Sequence, residues 1–196
     1  LMLVVDSSRS ALEQKALIVD TIDLVLSELD EGDEFAMMAH DIGPWEATDG
    51  FVKASDEARR SAISYYDQLD LDGASDLAGA LERAGEIAKG EEGVQLVYIG
   101  DGTPSWGKVA NEDLMASAAT LGEIPVHAAI VGRGASTELW EELSGDRGGS
   151  IVRANTKLDA ATFAVFLGAS RSMARIEGLA ATNLVNNALV GRVRLS

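Results

Sequence analysis

Three short segments of the chain carry oxygen donors and neither sulfur nor imidazole. Asp6-Ser7-Ser8-Arg9-Ser10 is an Asp-x-Ser-x-Ser pattern directly after the apolar run 1–5. Gly100-Asp101-Gly102-Thr103-Pro104 places an aspartate behind the apolar run 94–99, and Asp72-Gly73-Ala74-Ser75-Asp76 presents a hydroxyl where a helical pattern begins. Such a set suits a hard cation. Magnesium takes oxygen ligands in near-octahedral geometry, keeps several waters and needs only one or two carboxylates, whereas softer metals want imidazole or thiolate. Asp6 and Asp101 supply two negative charges, and Ser8, Ser10 and Ser75 supply neutral oxygens. A first shell left incomplete has a position open to a carboxylate from another molecule. Each segment also has a plainer reading, since Ser and Asp commonly cap helices and Asp-Gly commonly makes a turn. Their joint occurrence favours the metal.

For these segments to meet, the elements between them must bring their ends together. Residues 1–5, 35–39, 94–99 and 126–131 are continuous apolar runs of the kind that form strands buried on both faces. Residues 150–152 suggest a short fifth, and Phe51 and Val52 an edge strand. Leu12, Ala16, Val19, Ile22, Leu26 and Leu29 recur at spacings of three and four, the stripe of an amphipathic helix with Gly32 as its stop. Further helices are predicted from Ser55, from Ser75 and Asp76 to Gly90, over 109–121, over 136–143, and from Leu158 to about Ser170. Strands alternating with helices of this length imply right-handed crossovers. The fold class is therefore α/β: a Rossmann-like, doubly wound, mostly parallel sheet with helices on both faces. In such sheets ligands sit beyond the carboxyl ends of the strands, where the strand order reverses, and all three segments fall at such ends.

Composition narrows the function. The 196 residues suit one domain. The absence of cysteine excludes a disulfide framework, a thiolate metal site and a cysteine nucleophile. A net charge of −16 repels a phosphate backbone and attracts divalent cations. The longest uncharged stretch, 178–191, contains three asparagines and is shorter than a membrane span requires. His127 lies in a strand pattern as a core residue, and His40 ends another strand. Neither accompanies a Gly-x-Ser-x-Gly elbow, which excludes the usual hydrolase triad. Gly132-Arg133-Gly134 reads as a turn, Trp45 and Trp140 as packing residues. The opening on a strand already under way indicates a piece of a longer, multidomain protein, and residues 191–196 look like a strand leading onward.

The chain resembles a von Willebrand factor A (VWA) domain, whose metal-ion-dependent adhesion site combines an Asp-x-Ser-x-Ser loop, a threonine from a second loop and an aspartate from a Thr-Asp-Gly-like third. Matched by residue, these are Asp6, Ser8 and Ser10, then Ser75, then Asp101. The resemblance runs over about 150 residues. Its tail, with Ile130-Val131-Gly132-Arg133-Gly134, Leu139, Leu143 and Gly148-Gly149, is similar to the A domains of inter-alpha-trypsin inhibitor heavy chains and their bacterial relatives. It implies a VWA-like domain over 1–170, with a C-terminal extension over 171–196. It also implies magnesium, or alternatively calcium or manganese, and the expected rim is Ser7, Arg9, Thr103 and Trp106, where Trp106 either lines the ligand surface as an aromatic anchor or packs against the neighbouring helix. The partner is a protein presenting an Asp or Glu, and the family's habit points to the cell surface or another extracytoplasmic site. Three departures stand out: Arg9 where glycine is usual, Ser75 for threonine, and Gly100 for the Thr or Ser before the aspartate.

The expected function is thus a binding module for adhesion or assembly, not an enzyme. An alternative is a magnesium-dependent phosphohydrolase of haloacid-dehalogenase type, with Asp6 as nucleophile. Such enzymes need a second aspartate two residues on, where this chain has Ser8, and a serine offers no tunable proton for acid–base work. A third reading is a scaffold with a disused metal site, in which the Arg9 guanidinium pairs with Asp6 or Asp101 in place of a cation.

Overall fold

The computed structural model describes residues 1–132 and 136–174. Most of the expected Gly132-Arg133-Gly134 turn and the expected strand over 191–196 lie outside the described residues. Seven strands form one sheet: β1 (Met2–Asp6), β2 (Glu34–His40), β3 (Pro44–Glu46), β4 (Val52–Lys53), β5 (Leu96–Gly100), β6 (Val126–Ile130) and β7 (Ile151–Arg153). Their order is β3-β2-β1-β5-β6-β7, with β4 also on β2. The β2–β1–β5–β6–β7 ladder is parallel, while β3 and β4 pair with β2 antiparallel. The chain crosses from β2 on one side of β1 to β5 on the other, so the strand order reverses between β1 and β5.

Strand alternation divides the core. Leu3 and Val5 pack with Ile18, Ile22 and Leu26 of α1 (Lys15–Ser27), Ala62 and Tyr66 of α2 (Asp56–Asp67), and Phe163 and Leu167 of α6 (Lys157–Ala174). Met2 and Val4 pack on the opposite face with Leu77, Leu81 and Ala84 of α3 (Leu77–Ile87), Leu114 of α4 (Asn111–Ala118), and Leu139, Trp140 and Leu143 of α5 (Glu138–Arg147). Both faces are covered, which is why the strands read as unbroken apolar runs.

Several boundaries differ from the sequence reading. Residues Arg9–Gln14 form a 3-10 helix ahead of α1, and the tighter three-residue turn leaves Leu12 52% exposed instead of in the apolar stripe. α1 ends at Ser27, before Gly32, and α6 continues past Ser170 to Ala174. β3 was not expected. It makes Trp45 an exposed edge residue instead of a packing one, its Nε1 donating to Asp41 Oδ1 at 2.6 Å. Trp140 is fully buried. No helix among the described residues is long and apolar enough to cross a membrane.

His127 sits in the core as expected. Its Nδ1 shares a hydrogen bond with the Ser150 hydroxyl at 2.9 Å, its ring edge meets Phe166, and burial pushes its pKa down to about 4. Between about pH 6.5 and that value the unfolded chain binds a proton that the folded chain refuses, so stability falls as pH drops through this window. His127→Asn, which keeps a polar partner for Ser150, should lose about 3 kcal/mol less than the wild type between pH 7 and pH 4. Denaturant unfolding at a series of pH values checks this.

Candidate metal centre

The point of strand reversal brings the first and third segments together. The register pairs Val5 with Ile99, so Asp6, the last residue of β1, ends beside Gly100, the last of β5. Asp6 is fully buried. Its Oδ1 accepts the Ser8 N–H at 2.8 Å, and its backbone carbonyl accepts the Tyr66 hydroxyl at 2.5 Å from the α2 side. Its Oδ2 is buried with no hydrogen-bond partner. An unpaired carboxylate oxygen away from water is costly unless a cation or donor meets it.

Ser8 and Ser10 share a hydrogen bond between hydroxyls at 2.9 Å, and the Ser10 side chain also hydrogen-bonds to the Asp101 carboxylate. Neither serine acts as a helix cap: Ser8 precedes the 3-10 helix in extended conformation and its side chain accepts no capping hydrogen bond. Asp101 lies just past β5 and is half-buried, with Oδ1 accepting the Thr103 N–H at 2.8 Å. Burial holds its carboxyl above the usual range. Hydrogen bonds from Ser10 and Thr103 oppose that rise, and the neighbouring Asp6 charge adds to it.

Ser75 is placed by backbone contacts. Its N–H donates to the Ser105 hydroxyl at 2.9 Å, and its carbonyl accepts from the Ser105 and Trp106 N–H groups at 2.9 and 3.0 Å. The same loop meets the first segment, where Arg9 N–H donates to the Gly73 carbonyl at 2.8 Å. Asp76 caps α3 by accepting from Gly79 N–H at 3.1 Å. That leaves the Ser75 hydroxyl free of the capping role, buried and without a partner. The structure therefore joins Asp6, Ser8, Ser10 and Asp101 in one hydrogen-bonded group and ties the Ser75 loop to both flanking loops. Two carboxylates and three hydroxyls are a donor set for a hard cation. Among the described residues no group of three or more His, Cys, Asp or Glu side chains is placed to hold a metal.

The expected rim divides. Arg9 and Thr103 are exposed and Trp106 is 57% exposed. Ser7 is buried and cannot line a rim, because its N–H is drawn into the sheet by the His40 carbonyl at 2.8 Å. Among the described residues Arg9 forms no ion pair with Asp6 or Asp101. Beneath the centre lie two side chains that sequence reasoning did not assign to it. His40 is fully buried with both ring nitrogens unpartnered, and burial lowers its pKa against the pull of Asp6, Asp41, Asp76 and Asp101, which favours the neutral ring. The Tyr98 ring centroid is 5.9 Å from that of His40, and its hydroxyl accepts the Gly102 N–H at 3.1 Å. His40 closes one apolar strand run and Tyr98 lies inside another, so nothing in their local sequence marks them as part of a site.

A family model described as von Willebrand factor type A domain matches residues 1–153. No curated protein matches the sequence. Among solved structures the chain is similar to a von Willebrand factor type A protein from Catenulispora acidiphila, at 16% identity and a TM-score of 0.75, over 88% of this chain and 42% of that one. The chain thus spans less than half the length of that protein. It is also similar to the manganese-loaded TRAP protein of Plasmodium vivax, at 15% identity and 0.62 over 83% and 70% of the two chains. The pilus adhesin SpaC of Lactobacillus rhamnosus GG, in an open conformation, is similar at 9% identity and 0.66 over 87% and 29%. At these identities the likeness is one of fold.

The departure at position 100 has a steric reason: a Cβ there would collide with Asp6 Cβ and the Tyr98 hydroxyl. Gly100→Ala should destabilise the fold by about 1–3 kcal/mol through overpacking. That corresponds to a thermal midpoint about 2–10 °C lower, read by circular dichroism in EDTA.

Proposed function

The chain belongs to the von Willebrand factor type A domain family, and from that membership we propose that it is a metal-dependent protein-binding module. Asp6, Ser8, Ser10, Ser75 and Asp101 would hold a divalent cation, magnesium or alternatively calcium or manganese. The observation that carries this reading is the pair of buried, unpartnered oxygens, Asp6 Oδ2 and Ser75 Oγ, on two loops tied to the same strand end. Natural proteins leave few such groups unsatisfied, and an unmet buried oxygen calls for an ion or water. The manganese in the Plasmodium vivax TRAP structure is consistent with the family's capacity for such a cation.

When bound, the cation would offer a coordination position to an Asp or Glu side chain of a protein partner. The residues of this chain do the rest. Asp6 and Asp101 balance the positive charge, and the serine hydroxyls add neutral donors while leaving net positive charge for the partner's carboxylate. Arg9, Thr103 and Trp106 face outward around the centre, and Trp106 offers the kind of aromatic anchor that concentrates binding energy at interfaces. No proton-transfer group stands two residues after Asp6, and the Ser8 hydroxyl there is engaged with Ser10, which favours binding over phosphate hydrolysis. The similarity to a pilus adhesin supports a place at the cell surface, within a larger chain.

A ligand that binds only the folded state stabilises it by about 2.7 kcal/mol at a hundredfold excess over its Kd. A magnesium titration should therefore raise the wild-type thermal midpoint by about 5–10 °C over its value in EDTA, saturably. Asp6→Ala should show no rise. Asp101→Ala should lose magnesium-dependent capture of a genuine partner while keeping the fold, as read by surface plasmon resonance and circular dichroism. Partner binding unchanged in that variant would rule the metal bridge out.

A further inference from the structure

We propose that Tyr98 is a positioning residue for Asp101, its hydroxyl standing in the space beside Asp6 that a side chain at position 100 would otherwise occupy. The proposal rests on the metal reading above. Tyr98 lies on β5, two residues before Gly100, and so points to the same face of the sheet. That face also carries Met2, Val4 and, at the strand end, Asp6. The phenol ring is fully buried and stacked on Trp140 of α5, with centroids 3.9 Å apart and ring planes inclined by 18°. This stack aims the hydroxyl along the strand toward its end, where the oxygen accepts the Gly102 N–H at 3.1 Å.

Two consequences follow from that geometry. First, Asp101 is held from both sides. Gly100 belongs to the β5 ladder, and Gly102, at φ +72°, is fixed by the Tyr98 oxygen. On the far side the Asp101 carbonyl accepts the Ser136 N–H at 3.0 Å. The backbone that carries the carboxylate can therefore shift only by breaking a buried hydrogen bond, while the carboxylate itself is held by Ser10 and the Thr103 N–H. Second, Tyr98 and any side chain at position 100 exclude each other, because a Cβ at Gly100 would fall on both the Tyr98 hydroxyl and Asp6 Cβ. The Tyr98 hydroxyl thus fills space beside Asp6 that position 100 leaves open by being glycine. Burial, with the Asp6 and Asp101 charges behind it, raises the phenol pKa well above its usual value, so the hydroxyl keeps its proton in that acidic wall.

The test compares wild type with Tyr98→Phe, which preserves the stack on Trp140 and removes only the oxygen. Amide hydrogen exchange in EDTA reads the positioning directly: Gly102 should exchange about tenfold faster in the variant, with the β5 amides of residues 96–99 unchanged. Magnesium affinity by calorimetry should weaken by about tenfold or more, as loss of a partner that orients a ligand commonly does. A purely structural role would lower the EDTA midpoint and leave the magnesium Kd unchanged, overturning the proposal, as would an unaltered Gly102 exchange rate. A wild type indifferent to magnesium overturns the metal reading and this assignment with it. A responsive wild type whose Tyr98→Phe variant binds equally well overturns the assignment alone.

Discussion

The parallel pairing of β1 with β5 is the contact on which the candidate centre depends. Its register sets the last residue of β1 against the last of β5, and at that level one is a carboxylate and the other has no side chain. Any larger residue at position 100 would press on Asp6. The crossover on each side of β1 then sends the following loops outward over the same edge. The aspartate becomes a buried floor beneath those loops, while its flanks remain inside the core. Tyr66 of α2 on one face of the sheet and Tyr98 of β5, pointing to the other face, both reach this strand end, one bonding the Asp6 carbonyl and the other the Gly102 amide. The floor is fixed by both halves of the core.

Above that floor the loops are held largely by main-chain hydrogen bonds. Arg9 to Gly73, and Ser105 and Trp106 to Ser75, join three segments that are distant in sequence. Backbone anchoring leaves the side-chain oxygens of Ser75 and Asp6 with no partner in the fold. Burial drives the Asp101 carboxyl above its usual range, and the neighbouring Asp6 charge adds to the rise. A cation bound as proposed would relieve both costs. The chain's overall charge of −16 acts in the same direction at longer range.

The sequence by itself determined the fold class and most of the polar residues of the candidate site. Unbroken apolar runs identify strands covered on both faces, helical stripes identify the crossovers, and the position of a polar residue just after a strand is legible without coordinates. Asp6, Ser8, Ser10 and Asp101 were found in this way and lie together in the structure. Short edge strands and helix starts were less legible. β3 is three exposed residues with no periodicity to detect, and the division of labour between Ser75 and Asp76 turns on which of two adjacent polar side chains reaches Gly79.

Only the tertiary structure decided what each polar group faces. Ser7 reads as rim in the chain and is buried, because the His40 carbonyl claims its amide. Tyr98 lies within an apolar strand run and His40 at the end of another, and both stand under the centre. The physical reason is that hydrophobic patterning reports the environment of a face averaged along an element. Hydrogen bonding, steric exclusion and charge repulsion act between residues that meet only through the sheet register. The spacing of Gly100 and Asp101 is local, but the reason position 100 must be small lies across the ladder in Asp6 and two residues back in Tyr98.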